Sequence, residues 1–224
     1  WGKGMDSMFS IGANLKMIYS SYYLYDYNSF GIALDLAGTY HNAKRQFTCA
    51  VVIKNAGVQI KAYRKKNREP LPFEIQLGIS KRLKHAPFRL SVIARNLERW
   101  DLTYTDPNDP TLTFDPLTGE EIKQKKNIGD KIMRHFVFGG EFLLTKNFNI
   151  RFGYNYKRRK ELQVATKRAM TGISWGVGLK VSKFHISYAR ASYHLVGGTN
   201  HFTITTNLSE FYSKSNSKPE PLGL

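Results

Sequence analysis

The stretch that decides the fold is Thr171 to Leu208, TGISWGVGLKVSKFHISYARASYHLVGGTNHFTITTNL. Trp175, Val177, Leu179 and Val181 alternate with Ser174, Gly176, Gly178 and Lys180. After Ser182-Lys183, Phe184, Ile186 and Tyr188 alternate with His185, Ser187 and Ala189. Successive side chains of a strand point to opposite faces, so a period of two on both sides of a two-residue connection predicts a β-hairpin. A seven-residue loop, His194 to Asn200, is expected next, and the alternation then resumes with Phe202, Ile204, Thr206 and Leu208 against Thr203, Thr205 and Asn207. The residues after Leu208 read as a polar tail.

Outward from there the same period recurs. Phe9, Ile11, Ala13, Leu15 and Met17 mark one strand; Ile32, Leu34, Leu36 and Tyr40 a second; Phe47, Cys49, Val51 and Ile53 a third; Phe73, Ile75, Leu77 and Ile79 a fourth. Phe88, Leu90, Val92 and Ala94, then Phe136, Phe138, Gly140 and Phe142, then Ile150, Phe152, Tyr154 and Tyr156 supply three more. With the closing three the count is about ten. Residues 55–72 read as a basic loop, because Pro70 and Pro72 do not suit a central strand. Arg99 to Arg134 is the longest irregular segment: Asp-Pro turns first, then a short amphipathic helix within EIKQKKNIGDKIMRH, weakened by Gly129.

The connections alternate in length. Those at 41–45, 83–87, 145–147 and 182–183 are short, and those at 23–29, 55–72, 99–134, 159–170 and 194–200 are long or polar. In an up-and-down meander all short turns fall at one end, the asymmetry of outer-membrane barrels. Soluble sandwiches mix loop lengths at both ends through Greek-key crossovers. One face of the strands collects apolar residues. The other collects Lys16, Asp35, Glu74, Arg89, Glu141, Arg151 and Lys180, charges that are costly in a dry core but can pair across a wet lumen. The expectation is an all-β, antiparallel, up-and-down transmembrane β-barrel over residues 1–208, those seven side chains facing its lumen, with 209–224 as a periplasmic tail. A sandwich or half-open sheet with one solvated face would alternate too. The loop asymmetry, and the need to close every sheet edge in lipid, favour the barrel.

Composition agrees without deciding. No run of the 224 residues reaches 18 apolar positions, which excludes a transmembrane helix. A mean hydropathy of -0.41 excludes nothing further, since barrel strands are apolar on one face only. The net charge of +17 calls for an anionic partner. Its basic runs, Arg64-Lys65-Lys66, Lys123 to Lys126, Lys157 to Lys160 and Lys167-Arg168, lie between strands without interleaved aromatics, which favours an anionic membrane surface and argues against nucleic acid. A single cysteine, Cys49, rules out an internal disulfide.

The histidines lack metal-ligand spacing, and no phosphate-binding loop, nucleophile elbow or dinucleotide fingerprint occurs, so nothing points to an enzyme or a cofactor. Ser215 and Lys218, at Ser-x-x-Lys spacing, fall in the polar tail. Asp106, Asp109 and Asp115 offer oxygen ligands suited to calcium, but the neighbouring prolines make an ordinary surface turn the reading. The chain starts at Trp1 with neither Met nor signal peptide, and is read as an N-terminally truncated piece.

In NLERWDLTY (96–104), DKIMRHFVFGGEF (130–142), YARASYHLVGGTNHFTITTNL (188–208) and PFEIQLGISKRLKHAPFRLSV (72–92), the sequence resembles the PorQ family. These are outer-membrane components of the type IX secretion system, related to the long-chain fatty-acid transporters, and the likeness runs over nearly the whole chain. It implies a barrel of about fourteen strands, about ten of them present here. It also implies residence in the bacterial outer membrane and a non-enzymatic role as anchor for the surface complex that processes exported cargo and attaches it to lipopolysaccharide, another subunit supplying the sortase. Trp100, Asp101, Tyr104, Asp106 and Asp109 in the longest loop are the candidate contacts with those surface-exposed subunits. Unlike ordinary porins, the chain follows its last strand with a polar tail. Two other functions compete: passage of a hydrophobic small molecule, which needs an apolar pocket, and a soluble basic β-protein that binds polyanions.

Overall fold

A computed structural model describes residues 1–22, 27–64, 67–103, 127–162, 170–194, 197–207 and 211. Its strands are β1 (Gly2–Gly4), β2 (Phe9–Tyr22), β3 (Tyr27–Asn42), β4 (Phe47–Lys61), β5 (Glu74–Arg82) and β6 (Phe88–Ala94). The short helix α1 (Ile128–Met133) precedes β7 (Phe136–Leu143) and β8 (Phe148–Asn155). A second, α2 (Tyr156–Leu162), precedes β9 (Ile173–Val181), β10 (Phe184–His194) and β11 (Gly197–Thr206). The eleven strands form one sheet in sequence order, each antiparallel to the next, so the protein is all-β and up-and-down. No helix is long and apolar enough to cross a membrane among the described residues.

The hairpin in the deciding stretch folds as read. Ser182-Lys183 joins β9 to β10 with Val181 opposite Phe184 and Trp175 opposite Arg190. Four expectations are corrected. β1 is an added strand, pairing Gly2 with Gly12 and Lys3 with Ile11, too short and glycine-rich to carry a period. β4 runs on to Lys61, where a loop was expected from residue 55. The cause is a bulge: Leu36 pairs with Ile53 and Leu34 with Ala56, so Lys54 and Asn55 together face Asp35. Asn55 takes φ 55°, the left-handed region. The extra residue shifts the apolar positions by one, to Ala56, Val58 and Ile60, so the period does not end at residue 55 but changes phase there.

The loop expected at 194–200 is mostly strand, because β10 reaches His194 and β11 starts at Gly197, with the two residues paired. Finally, Tyr156 opens α2 instead of ending β8. Asn155 Oδ1 accepts from Arg158 N (3.0 Å), caps the helix and stops the strand. Of the stretch 121–135 expected to hold a helix, residues 127–135 are described and carry α1, capped by Asn127, whose side chain accepts from Gly129 N. Leu208 and all of the tail except Phe211 lie outside the described residues.

One end of the sheet carries the connections 5–8, 43–46, 83–87, 144–147 and 182–183. The other carries 23–26, 62–73, 95–135, 156–172 and 195–196. Three connections at the second end are long and two are of hairpin length, so the asymmetry is real but smaller than expected. Among the described residues β11 pairs with β10 alone and β1 with β2 alone, so the strand ladder is not closed between β1 and β11.

Burial is inverted relative to a water-soluble domain. The apolar residues buried among those described are Ala33, Ala94 and Leu102, whereas Ser29, Gln59, His135, Asn149 and Thr171 are buried polar ones. Leu15 (62% exposed), Met17 (71%), Phe152 (58%) and Phe202 (67%) stand out from one face of the sheet.

Asn55 gives a test of the bulge. Asn55→Ala, a residue poorly suited to positive φ, should cost about 1–2 kcal/mol in chemical denaturation, and Asn55→Gly clearly less. Equal costs would locate the effect in the side chain's hydrogen bonds to Lys16 and Pro72 rather than in the backbone.

Candidate functional site

The register puts all seven predicted lumen residues on one face. Lys16 lies two positions from Asn14, which is opposite Asp35. Lys54 faces Glu74, Arg82 faces Arg89, Arg89 faces Glu141, Glu141 faces Arg151, and Lys180 faces His185. Because cross-strand partners share a face, these pairs carry one polar surface from β2 to β10.

Charges on it pair along the wall. Lys16 Nζ lies 2.6 Å from Asp35 Oδ2, and Asp35 Oδ1 accepts the backbone N–H of Asn55 (2.8 Å), tying this pair to the bulge. Glu74 takes Arg95 through both oxygens, at 2.8 and 3.3 Å. Glu141 accepts from Arg89 at 2.9 Å and from Arg151 at 2.8 Å, one carboxylate between two guanidiniums. The side chains of Asp35, Glu74 and Glu141 are mostly covered while their cations are more open, so each carboxylate is the costlier member to leave unpaired. Lys180 shares the face and has no carboxylate within ion-pair distance among the described residues; its backbone N–H donates to Asn147 O (2.7 Å).

A second cluster lies at the end with the long connections, built from 95–103, α1, α2 and 170–172. Arg95 N donates to His135 O (2.9 Å), and the buried His135 ring has Nδ1 2.8 Å from Arg95 O and Nε2 3.3 Å from Trp100 O, clamping the chain beyond β6. Asp130 collects Arg134 one turn on (2.7 Å), the Tyr156 hydroxyl (2.7 Å) and Lys160 (3.9 Å). Burial works to raise the Asp130 carboxyl, but its hydrogen bonds to Arg134 and Tyr156 prevail and hold it below its ordinary value. Burial, then the hydrogen bond to Asp130, pushes Tyr156 up to about 12. Arg158 stacks over Tyr193 at 4.0 Å, and Arg159 reaches Thr171 O (3.4 Å). Gly172 sits at φ 84°, where a Cβ would fall 2.7 Å from Asn155 O, so only glycine lets the return to β9 pass this close to α2.

Of the predicted contact residues, Trp100 is two-thirds exposed. Asp101 is held by Lys131 (2.7 Å) and Thr103 (2.6 and 2.9 Å), and these hydrogen bonds, Lys131 first, keep its carboxyl far below the usual range. Tyr104, Asp106 and Asp109 lie outside the described residues, as does Asp115. The sequence reading missed Asp130, Arg134 and Tyr156. The spacing of Asp130 and Arg134 on a helix was there to be read, but nothing local pointed to Tyr156.

Among the described residues no group of three or more potential ligands could hold a metal ion. Cys49 is half-buried and unpaired. No protein-family model, curated protein or solved structure matches the chain.

Two outcomes test this geometry. Glu141→Gln, which leaves Arg89 and Arg151 flanking an uncharged side chain, should destabilise by about 1–2 kcal/mol, and Arg89→Gln by less, because Glu141 keeps Arg151; denaturation midpoints measured on both variants decide it. For the Asp130–Tyr156 contact, the lowered carboxyl contributes stability above its ordinary value near 3.8 that is lost as pH falls. The raised phenol contributes stability below pH 10 that is lost as pH climbs towards 12. A difference titration of phenolate absorbance between the natural chain and Tyr156→Phe should therefore show one tyrosine ionising well above the others.

Proposed function

We propose that the chain belongs to a transmembrane β-barrel of the bacterial outer membrane that acts, without catalysis of its own, as an anchor and scaffold for a secretion complex at the cell surface. The observation that carries the membrane reading is the inverted sheet. An exposed face of Leu, Met, Phe, Ile and Trp backs a face of paired charges over eleven antiparallel strands. In water that apolar area, at roughly 25 cal/mol per Å², would favour aggregation or unfolding; in lipid it is the expected exterior. The reading requires the edges at β1 and β11 to be paired in the membrane, with each other or with further strands, since bare backbone groups are not tolerated there. A count of fourteen rests on the family resemblance.

The narrower role, a PorQ-like component of the type IX secretion system, rests on the resembling motifs at 72–92, 96–104, 130–142 and 188–208. The loop cluster supports it as a docking surface: Trp100 is exposed on a segment clamped by His135 and Lys131, so an aromatic anchor is offered with little ordering cost. In this orientation the long connections face outward, towards lipopolysaccharide and the sortase-containing attachment complex, and the short ones face the periplasm. The charged ladder favours a scaffold over a carrier of hydrophobic molecules, because Lys16–Asp35, Glu74–Arg95 and Arg89–Glu141–Arg151 line the face such a ligand would have to follow.

Two measurements test the reading in order. The chain should partition into detergent and migrate faster on a gel when unheated; aqueous partitioning would remove the membrane claim. Deleting 105–125 while insertion persists should release the surface complex from the cells, and full retention of that complex would remove the docking claim.

A further inference from the structure

From β7 to β11 the register places a single charged side chain in the apolar rows of the described residues: Arg190, opposite Trp175 of β9 and Asn200 of β11. Its row continues through Trp175 to Phe152, and Tyr188 and Phe202 stand opposite each other in the next row. Arg190 is exposed and has neither a hydrogen bond nor an ion pair among the described residues. A guanidinium on a lipid-facing surface is costly at mid-bilayer and nearly free of cost at headgroup depth, so its position along the strand matters. Trp175, its partner, is the third residue of β9, just after the chain returns from α2 at the end with the long connections. The side chain runs further the same way. A Cβ at Gly198, which faces Ser192 two residues nearer those connections, would lie 3.5 Å from Arg190 Nε. The apolar stem thus lies along the wall and the charged head is carried towards the rim.

The polar groups around it are donors in search of an acceptor. The Tyr188 hydroxyl donates to Asn200 Oδ1 (3.0 Å), which engages that oxygen and leaves the Asn200 amide N–H groups for another partner. No Asp or Glu occurs in the apolar rows of β7 to β11. The Trp175 and Tyr188 rings meet edge-on, with centroids 5.8 Å apart, and rings with a polar tip of this kind belong at headgroup depth. A guanidinium fork beside an amide, with no carboxylate to share, suits a phosphate with several acceptor oxygens. What adjoins the fork on the same face is apolar and exposed: Phe152, Phe202 and Ile204. A phosphate held here therefore has room for acyl chains beside it, which a free phosphate would leave uncovered.

We propose that Arg190 and Asn200 hold the phosphate of an anionic phospholipid headgroup in the leaflet at the end with the long connections, its acyl chains lying over Phe202, Ile204 and Phe152. The site rests on the membrane reading, without which its apolar floor would face water.

Trp175 reports on the site, because bromine on a lipid quenches a tryptophan it touches. In the full chain carrying Trp1→Phe and Trp100→Phe, reconstituted in phosphatidylcholine vesicles, phosphatidylglycerol brominated near the headgroup should quench about fivefold more effectively than phosphatidylcholine brominated in the same way. Arg190→Gln should abolish that preference, Arg190→Lys should keep part of it, and Lys180→Gln, on the polar face of the adjacent strand, should leave it unchanged. Equal quenching by the two lipids, or equal loss of preference with Lys180→Gln, would overturn the proposal, the latter by showing diffuse charge in place of a site. Quenching by neither lipid would overturn the membrane reading and the site with it, so the two failures are told apart. If the tryptophan replacements prevent reconstitution, the natural chain extracted in mild detergent from mixed vesicles of the two lipids should retain more phosphatidylglycerol than Arg190→Gln, and equal retention would overturn the site.

Discussion

The antiparallel ladder is the constraint on which the other features depend. From β3 to β10 each strand has a neighbour on both sides, so the backbone polar groups find partners inside the sheet and the side chains are left to suit two environments. Few apolar residues are buried beneath that sheet, so a packed interior contributes little to holding the strands in place. Cohesion comes from hydrogen bonds in the plane and from ion pairs on the polar face. On the proposed reading, lipid supplies the apolar contact that a second layer supplies in a sandwich.

Where the ladder is interrupted, side chains take over its bonding. Beyond the part of β5 that pairs with β6, Ile75 N donates to the Glu98 carboxylate and Ile75 O accepts from Leu97 N, so the first residues after β6 act as a partner for the start of β5. At the β4 bulge Asp35 accepts the N–H of Asn55, the residue that takes the left-handed turn. Both repairs use carboxylates: Glu98 also accepts from the Asn96 side chain, and Asp35 also pairs with Lys16.

The strands and the identity of the two faces were legible because alternation is a local signal that needs no knowledge of partners. It failed where local chemistry misleads. Gly197 and Gly198 read as loop residues, yet both belong to β11; a Cβ at Gly198 would lie 2.7 Å from Ala191 O, so glycine there permits close strand approach. The bulge at Asn55 hid the second half of β4 by moving its phase, and Gly2–Gly4 has no phase to read. In the candidate site, the charged face was visible in advance but its pairing was not. Whether Glu141 would serve one arginine or two depends on the strand register, which is set between strands and not within them. The Tyr156 contact with Asp130 joins two connections on opposite sides of β7 and β8, and no spacing along the chain encodes it.

Glu141 between Arg89 and Arg151 has a meaning for assembly as well as for the finished sheet. If β7 slipped by one residue against β6 and β8, the carboxylate would turn to the apolar face and two guanidiniums would be stranded on the other. The same holds for Glu74 with Arg95 and for Asp35 with Lys16, in the part of the sheet that precedes β7 in the chain. Each misaligned hairpin would thus meet a penalty at its own step, before later strands could trap the error. The ion pairs act as a set of alignment marks, and their value lies as much in the pairings they forbid as in the one they stabilise.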